Sequence, residues 1–293
     1  MKKILILLFI LLIIYVSFIN PSLLFNSVLD SLEIWLYRIY PSFFIFFIIS
    51  SLLLNFGIFK YLTFLIKPIV KFNSDKAYEL YLLSLFVGNP TSSKFTYLEL
   101  QKNSITESDA IKLIKYHSFM NPLFVISIIS LLSNNYKEII ITYILVSIIV
   151  NTLFSINKKG SISFNNPKKD FLVNIDFVLD SINGAISILI QIAGFIIFCN
   201  LLKDIFIYFI PSSNIISSFL ESSRGVYDIL NSNVSNKLLL IISLLTFQGL
   251  SINLQVYNNA RGLINLSSIL IIRIIQTLIV TIIMYLLLTF YFV

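Results

Sequence analysis

Apolar residues occur in this chain as long continuous blocks, without the strict alternation of half-buried strands. The blocks are Ile4 to Ile19, Phe43 to Phe59, Leu80 to Leu100, Ile111 to Leu132, Ile139 to Ile156, Phe171 to Ile210, Leu238 to Val256 and Leu263 to Val293. At about 20 residues per crossing, they allow roughly seven or eight hydrophobic elements. A bilayer leaves no water for open backbone groups, so spanning segments are helices or closed barrels, and continuous blocks select helices. The predicted fold is an all-α polytopic membrane protein with interrupted or re-entrant helices. Three blocks are broken: Leu80 to Leu100 by Gly88-Asn89-Pro90, Ile111 to Leu132 at Asn121-Pro122, and Leu238 to Val256 near Gln248-Gly249.

The polar intervals set the organisation. Met1-Lys2-Lys3 ahead of Ile4 to Ile19 has the start of a signal peptide, but Asn20-Pro21-Ser22-Leu23 is no small-residue cleavage site, so residues 1–25 read as an uncleaved first transmembrane helix with its N-terminus inside. Asn26 to Tyr40, with Asp30, Glu33, Trp35 and Arg38, suits the interface, and Pro41-Ser42 leads into a spanning segment. Lys60, Lys67, Pro68 and Lys71 punctuate a short run that suits a surface or dipping helix. Asn157 to Asp170 carries Lys158, Lys159, Lys168 and Lys169 against a single acid and reads as a cytoplasmic loop. The crossings between two inside segments are even in number, which holds if Leu80 to Leu100 re-enters. Pro211 to Asn236 reads as a polar, Ser-rich stretch.

Composition agrees with this picture. The 293 residues are 57% apolar and only 12% charged, about half of what soluble domains carry, and mean hydropathy is +0.92. There is no room for a second, soluble domain. The net charge of +7 belongs to loop topology and gives no nucleic-acid surface. The only cysteine, Cys199, lies inside an apolar run and can form neither an internal disulfide nor a Cys-built metal site.

Val28-Leu29-Asp30-Ser31 recurs as Val178-Leu179-Asp180-Ser181, each followed by an apolar run. Ser84-Leu85 before the Gly88 break faces Ser243-Leu244 before the Gln248 break. The pattern divides the chain into a first repeat half (26–156), the basic loop (157–170) and a second repeat half (171–293), with kinks in unrelated helices as the alternative. Paired interrupted segments point to a transporter site, because half-helix ends at a repeat interface present directed backbone charge.

In Gly88-Asn89-Pro90-Thr91-Ser92-Ser93-Lys94, glycine permits a turn, Asn89 suits an N-cap and Pro90 the first helical position. A helix start there, with the hydroxyls of Thr91, Ser92 and Ser93 and the charge of Lys94, makes an anion site; the alternative is a capped helix whose lysine snorkels. At Asn121-Pro122, proline frees an upstream carbonyl that Asn121 or Ser118 can satisfy, and these groups can equally face a substrate. His117, the only histidine, reads as a packing residue. Gln248, Ser251 and Gln255 fall at helical spacing next to Gly249 and form one polar stripe, either ligand contact or helix-helix contact. Asp180, Asn183, Gly184, Gln191 and Gly194 make a weaker stripe. Arg273 in the last helix needs a partner, and Asp180 is the candidate. No catalytic set, cofactor motif or metal spacing appears, so the expectation is a non-enzyme without cofactors.

Trp35 with Pro41-Ser42 and Phe46-Phe47, Gly88-x-Pro90 with Lys94, Asn121-Pro122-Leu123-Phe124, and Gly249-x-Ser251 with Gln255 occur in an order and spacing that resemble the YlbJ-type (SpoVV) sporulation integral membrane proteins. That family belongs to the nucleoside-recognition, or Gate, group related to concentrative nucleoside transporters. The resemblance runs from about Val28 to the last helix. Asn89 stands where the family has an aromatic, Ser92-Ser93 where it has Gly-Ala, and Ile45 where it has proline. These departures bear on substrate more than on fold.

The resemblance implies transport of a small anionic metabolite, dipicolinate, toward the developing spore across the mother-cell-derived membrane. Gly88, Asn89, Thr91, Ser92, Ser93, Lys94, Asn121, Gln248, Gly249, Ser251 and Gln255 are the candidate substrate-binding residues. The partners expected are the substrate and the lipid bilayer, with no nucleic acid; a homo-oligomer is compatible with the sequence. Two other functions fit the same chain: a non-transporting scaffold for a sporulation envelope complex, with Pro211 to Asn236 binding a partner, and a nucleoside-type permease.

Overall fold

A computed structural model describes residues 2–132, 135–155 and 175–291, and every described element is helical. The basic interval Asn157 to Asp170 lies outside the described residues. The chain begins with α1 (Lys2–Ile19), which bends by 106° at Asn20 into the next helical run. Asn20 caps α2 (Pro21–Ile34) by accepting from the Leu23 N–H at 3.2 Å.

The boundary expected at Pro41 is not a break in the helix. Instead α2 passes through a π-helical turn, Trp35–Ile39, straight into α3 (Tyr40–Asn55). Proline lacks the N–H that an α-helix would bond back to residue 37, and its ring crowds that carbonyl; the wider π turn absorbs both effects ahead of Pro41.

After α3 the chain bends by 81° at Gly57 into a short 3-10 helix, Ile58–Leu65. Then α4 (Asp75–Val87) and α5 (Thr91–Gln101) pack on each other, with Gly88, Asn89 and Pro90 at the bend. Neither is long enough to span alone. α6 (Glu107–Tyr116) and α7 (Pro122–Ile129) are separated by non-helical residues 117–121, so the break starts four residues ahead of Asn121. α8 (Tyr136–Leu153) is an uninterrupted apolar crossing.

The second part opens on α9 (Asp176–Phe209), whose 34 residues extend about 51 Å. The polar, Ser-rich stretch is folded inward. It forms the short α10 (Asn214–Ser217) and α11 (Ser222–Asn231), and Ser213, Ser217, Ser218, Ser222 and Ser223 are all buried. Serines are tolerated there because hydroxyls can bond back to local carbonyls: Ser217 and Ser218 both donate to Asn214 O at 2.9 Å. α12 (Lys237–Phe247) and α13 (Gly249–Asn259) meet at Gln248, and α14 (Leu266–Tyr291) closes the bundle.

α8, α9, the α12–α13 pair and α14 are long and apolar enough to cross a membrane, and the two bent pairs raise the number to six if each is one span. α14 exposes Ile271, Ile274, Leu278 and Ile282, while Arg273, Gln276, Val280 and Met284 on its other side are buried. An apolar outer stripe over a polar inner one is the reverse of a soluble helix and suits lipid outside and protein inside. One apolar core joins α3, α4, α6 and α9, and a second joins α7, α8, α11, α12 and α14.

Candidate functional site

The site forms where the helix breaks meet. Gly88 adopts φ +66°, and a Cβ there would lie 2.6 Å from Met120 C and 2.8 Å from Asn121 Cα. Only glycine lets the two breaks touch. The Asn89 N–H then donates to Phe119 O at 2.8 Å, across the contact. The second pair of breaks is built alike. Gly249, at φ +67°, sits against Ser222, and the Leu250 and Ser251 N–H groups donate to Phe219 O (2.8 Å) and Leu220 O (3.0 Å).

Asn89, Ser118 and Gln248 join the two pairs. Asn89 Nδ2 donates to Ser118 Oγ and, at 3.2 Å, to Gln248 Oε1; Ser118 Oγ donates to the same Gln248 oxygen at 2.9 Å. Ser92 Oγ donates to Asn89 Oδ1 at 2.7 Å. The expected roles shift accordingly. Asn89 does not cap α5, because its side chain turns toward the facing break, and the helix begins at Thr91, one residue after Pro90. Gln248 has left-handed backbone (φ 68°) and is the break itself, so it does not share a helical stripe with Ser251 and Gln255.

Backbone groups freed by the breaks are satisfied from several helices. Asn121 caps α7, accepting from Leu123 N at 2.9 Å, and donates to Val87 O at 3.2 Å, the carbonyl end of α4. Asn151 on α8 donates to Ser118 O at 2.9 Å, and Asn253 to Phe247 O at 2.8 Å. Asn259 donates to Ser93 Oγ (3.0 Å) and Pro90 O (3.3 Å), and accepts from Gln191 Nε2 at 3.1 Å. Gln191 is the one member of the expected α9 stripe at this network; Asp180 and Asn183 are exposed.

Two small cavities flank the crossing and share Met120 in their walls. The first, of about 30 Å³, has Asn89, Pro90, Asn121, Glu221, Ser251 and Gln255 among its lining, with Phe43, Phe124 and Ile192 completing it. Pro90, Asn121, Glu221 and Ser251 stand at or within three residues of the N-terminal starts of α5, α7, α11 and α13. Four helix starts therefore face one space, three of them partly positive and the fourth, that of α11, neutralised by the Glu221 carboxylate that caps it. Gln255 donates to Ser251 Oγ at 3.2 Å, and its own Oε1 has no partner.

Glu221 escapes the sequence reading. It is buried and caps α11, accepting from Ser223 N at 3.1 Å and Arg224 N at 2.7 Å. Its signal is an acid directly ahead of Ser222-Ser223, inside a stretch that reads only as polar and Ser-rich. The second cavity, of about 40 Å³, is lined by Ser118, Gln248, Ser147, Asn151, Arg273 and Gln276 among others. Arg273 does not pair with Asp180; it donates to Gln276 Oε1 at 2.6 Å and Ile114 O at 3.3 Å.

The expected residues thus separate. Gly88, Asn89, Asn121, Gln248, Gly249, Ser251 and Gln255 converge at the crossing. Thr91, Ser92 and Ser93 are buried in the first turn of α5, with Ser93 Oγ donating to Pro90 O at 2.6 Å. Lys94 is half-buried, lines neither cavity, and its ammonium has no hydrogen-bond or ion-pair partner among the described residues. His117 packs edge-on against Tyr81 at 4.7 Å between ring centres, as a packing residue does.

No family model and no solved structure matches the chain. Over 109 residues it is 30% identical to the sporulation integral membrane protein YlbJ of Bacillus subtilis (strain 168). The match takes in 36% of this chain and 27% of that protein, so the chain aligns with about a quarter of its relative's length. With its long apolar helices, the chain is an all-α integral membrane protein that has a sporulation membrane protein among its distant relatives.

Proposed function

We propose that this protein is a membrane transporter for a small anionic metabolite, and that the metabolite is dipicolinate carried toward the developing spore across the mother-cell-derived membrane. The observation that supports the reading is the convergence of the N-terminal starts of α5, α7 and α13 on one cavity next to the Asn89–Ser118–Gln248 crossing. Helix dipoles that point at a common space in low dielectric favour negative charge there, although the first-turn N–H groups of α7, α11 and α13 are themselves bonded within the protein. Substrate identity comes from the resemblance and from the sporulation relative. We further propose two repeat halves, 26–156 and 171–293. Supporting them, Asn200 donates to Ser31 Oγ at 3.0 Å and Ser181 donates to Ser51 Oγ at 2.8 Å, so the serine of each Val-Leu-Asp-Ser copy bonds to a side chain in the other half.

The test is uptake of labelled dipicolinate into vesicles containing the purified protein, against empty vesicles. Absence of uptake overturns the reading. Because Lys94 lines neither cavity, Lys94→Met should leave uptake largely intact, as Lys60→Met should; loss of uptake in Lys94→Met at normal expression would return Lys94 to the path of the anion. Engineered cysteines near Lys3 and Lys159 should label from the same side, and the buried Cys199 gives a quiet background.

Glu221 favours a second reading, nucleoside-type permeation, since a carboxylate in the cavity wall accepts hydrogen bonds from hydroxyl groups and repels anions. Labelled uridine taken up in place of dipicolinate decides for it.

A further inference from the structure

Arg273 is 1% exposed, yet no carboxylate reaches its guanidinium among the described residues. Its two hydrogen bonds go to neutral acceptors, Gln276 Oε1 and Ile114 O, and Nε has no partner. A guanidinium carries five N–H donors and is always charged, so removing it from water without a counter-charge is among the costlier arrangements a protein interior can hold. The carbonyl end of α6 offsets part of that cost: Ile114 O meets Arg273 directly, and Tyr116 O accepts from Gln276 Nε2 at 2.9 Å. These are partial charges, and Tyr116 O is already engaged.

The remaining donors border a space. Arg273 and Gln276 line the cavity of about 40 Å³ together with Ser118, Gln248, Ser147 and Asn151. Ser147 Oγ, also buried there, interacts with the Tyr143 hydroxyl but makes no close hydrogen bond. A space of that size holds a few waters or one compact group. Arg273, whose Nε has no partner, and the Ser147 hydroxyl thus share one small cavity with mixed polar and apolar walls.

We propose that this cavity is a second anion station, in which Arg273 takes a compact anionic group: a carboxylate of the transported metabolite or a free small anion. It lies across the Asn89–Ser118–Gln248 crossing from the cavity of the four helix starts, with Met120 in both walls. An anion leaving one cavity would meet the other directly behind that crossing. The proposal rests on the anion-transport reading for its biological meaning, although binding at Arg273 is measured separately from transport.

The experiment measures thermal unfolding of the purified full-length protein in nanodiscs, at constant ionic strength set with gluconate, against acetate, its neutral isostere acetamide, and chloride. Acetate should raise the unfolding temperature saturably and acetamide should not. Arg273→Met should be at least as stable as the wild type without ligand and should bind acetate at least tenfold more weakly. Ser147→Ala should weaken acetate binding a few-fold without moving the unliganded unfolding temperature. Chloride that competes with acetate marks a station for free small anions; chloride that does not marks one for carboxylates. An undiminished acetate shift in Arg273→Met, or in Ser147→Ala where Arg273→Met does not purify, overturns the proposal, as does a wild type that responds to neither acetate nor chloride. A protein that shows the acetate shift but takes up no dipicolinate keeps this station and loses the transport reading.

Discussion

Two regions of this molecule bury positive charge, and they treat it differently. Around α9 and α11, Lys203 pairs with Asp228, Arg224 donates to Asp204 at 2.7 Å and lies 3.6 Å from Asp30, and Glu221 is held by two backbone N–H groups. Every charge in that set has an opposite charge or a directed donor. Arg273, on α14, has only neutral acceptors. A closed charge network holds helices in place and has nothing left to offer a ligand, whereas a buried cation with only dipolar partners keeps its attraction for an anion that comes and goes.

The two regions should part most widely in stability. Lys203→Met leaves the partly exposed Asp228 without its cation and removes positive charge from beside the buried Glu221, so it should cost about 1–3 kcal/mol, the range for losing a hydrogen bond to a charged group. Arg273→Met removes a desolvated charge that no carboxylate balances, and should leave stability unchanged or raise it. Denaturation of both purified variants in the same detergent checks this. Equal losses would erase the distinction between the regions.

Of similar size is the effect at the crossing that keeps the two cavities apart. Gly88→Ala forces a side chain into the left-handed region and against the Met120–Asn121 backbone, which should cost at least about 1–3 kcal/mol. Gly194→Ala, in the middle of α9 with nothing within 4 Å of the added methyl, should be neutral or gain up to about 1 kcal/mol from helix propensity. Thermal unfolding of the pair reads the difference, and similar behaviour would mean that the close contact at Gly88 does not hold the site together.

Much of this is legible in the sequence because the bilayer simplifies the code. Unbroken apolar blocks mark α8, α9 and α14, and Gly-Asn-Pro or Asn-Pro punctuation locates the breaks at Gly88–Pro90 and before Pro122. Two things are hidden. Pro41 reads as a boundary, yet a π turn carries the helix through it, a tertiary solution with no local signature. Ser213 to Ser223 read only as part of a polar stretch because serine composition is the same in a solvated segment and in a buried one whose hydroxyls bond to its own carbonyls. Glu221 is hidden with them. The surroundings of Arg273 escape for a related reason: the charge calls for a carboxylate, where an amide three residues away and a helix end are what it meets.

The finest distinction concerns the wall of the first cavity. Ser251 and Gln255 are buried and bonded to each other, and Gln255 Oε1 has no protein partner, so the pair can present both a donor and an acceptor to a ligand. Ser251→Ala removes a hydroxyl and leaves Gln255 Nε2 without its acceptor; Gln255→Ala removes both amide groups. Each should weaken substrate binding by about 0.5–1.5 kcal/mol, roughly one hydrogen bond. Because the two side chains touch, the double variant should lose less than the sum of the singles, with a coupling of about 0.5 kcal/mol or more. Strict additivity would mean that they act on the substrate independently. Unchanged affinity in all three variants would make the pair a packing contact between α13 and its neighbours, and would leave the helix starts alone to hold the anion.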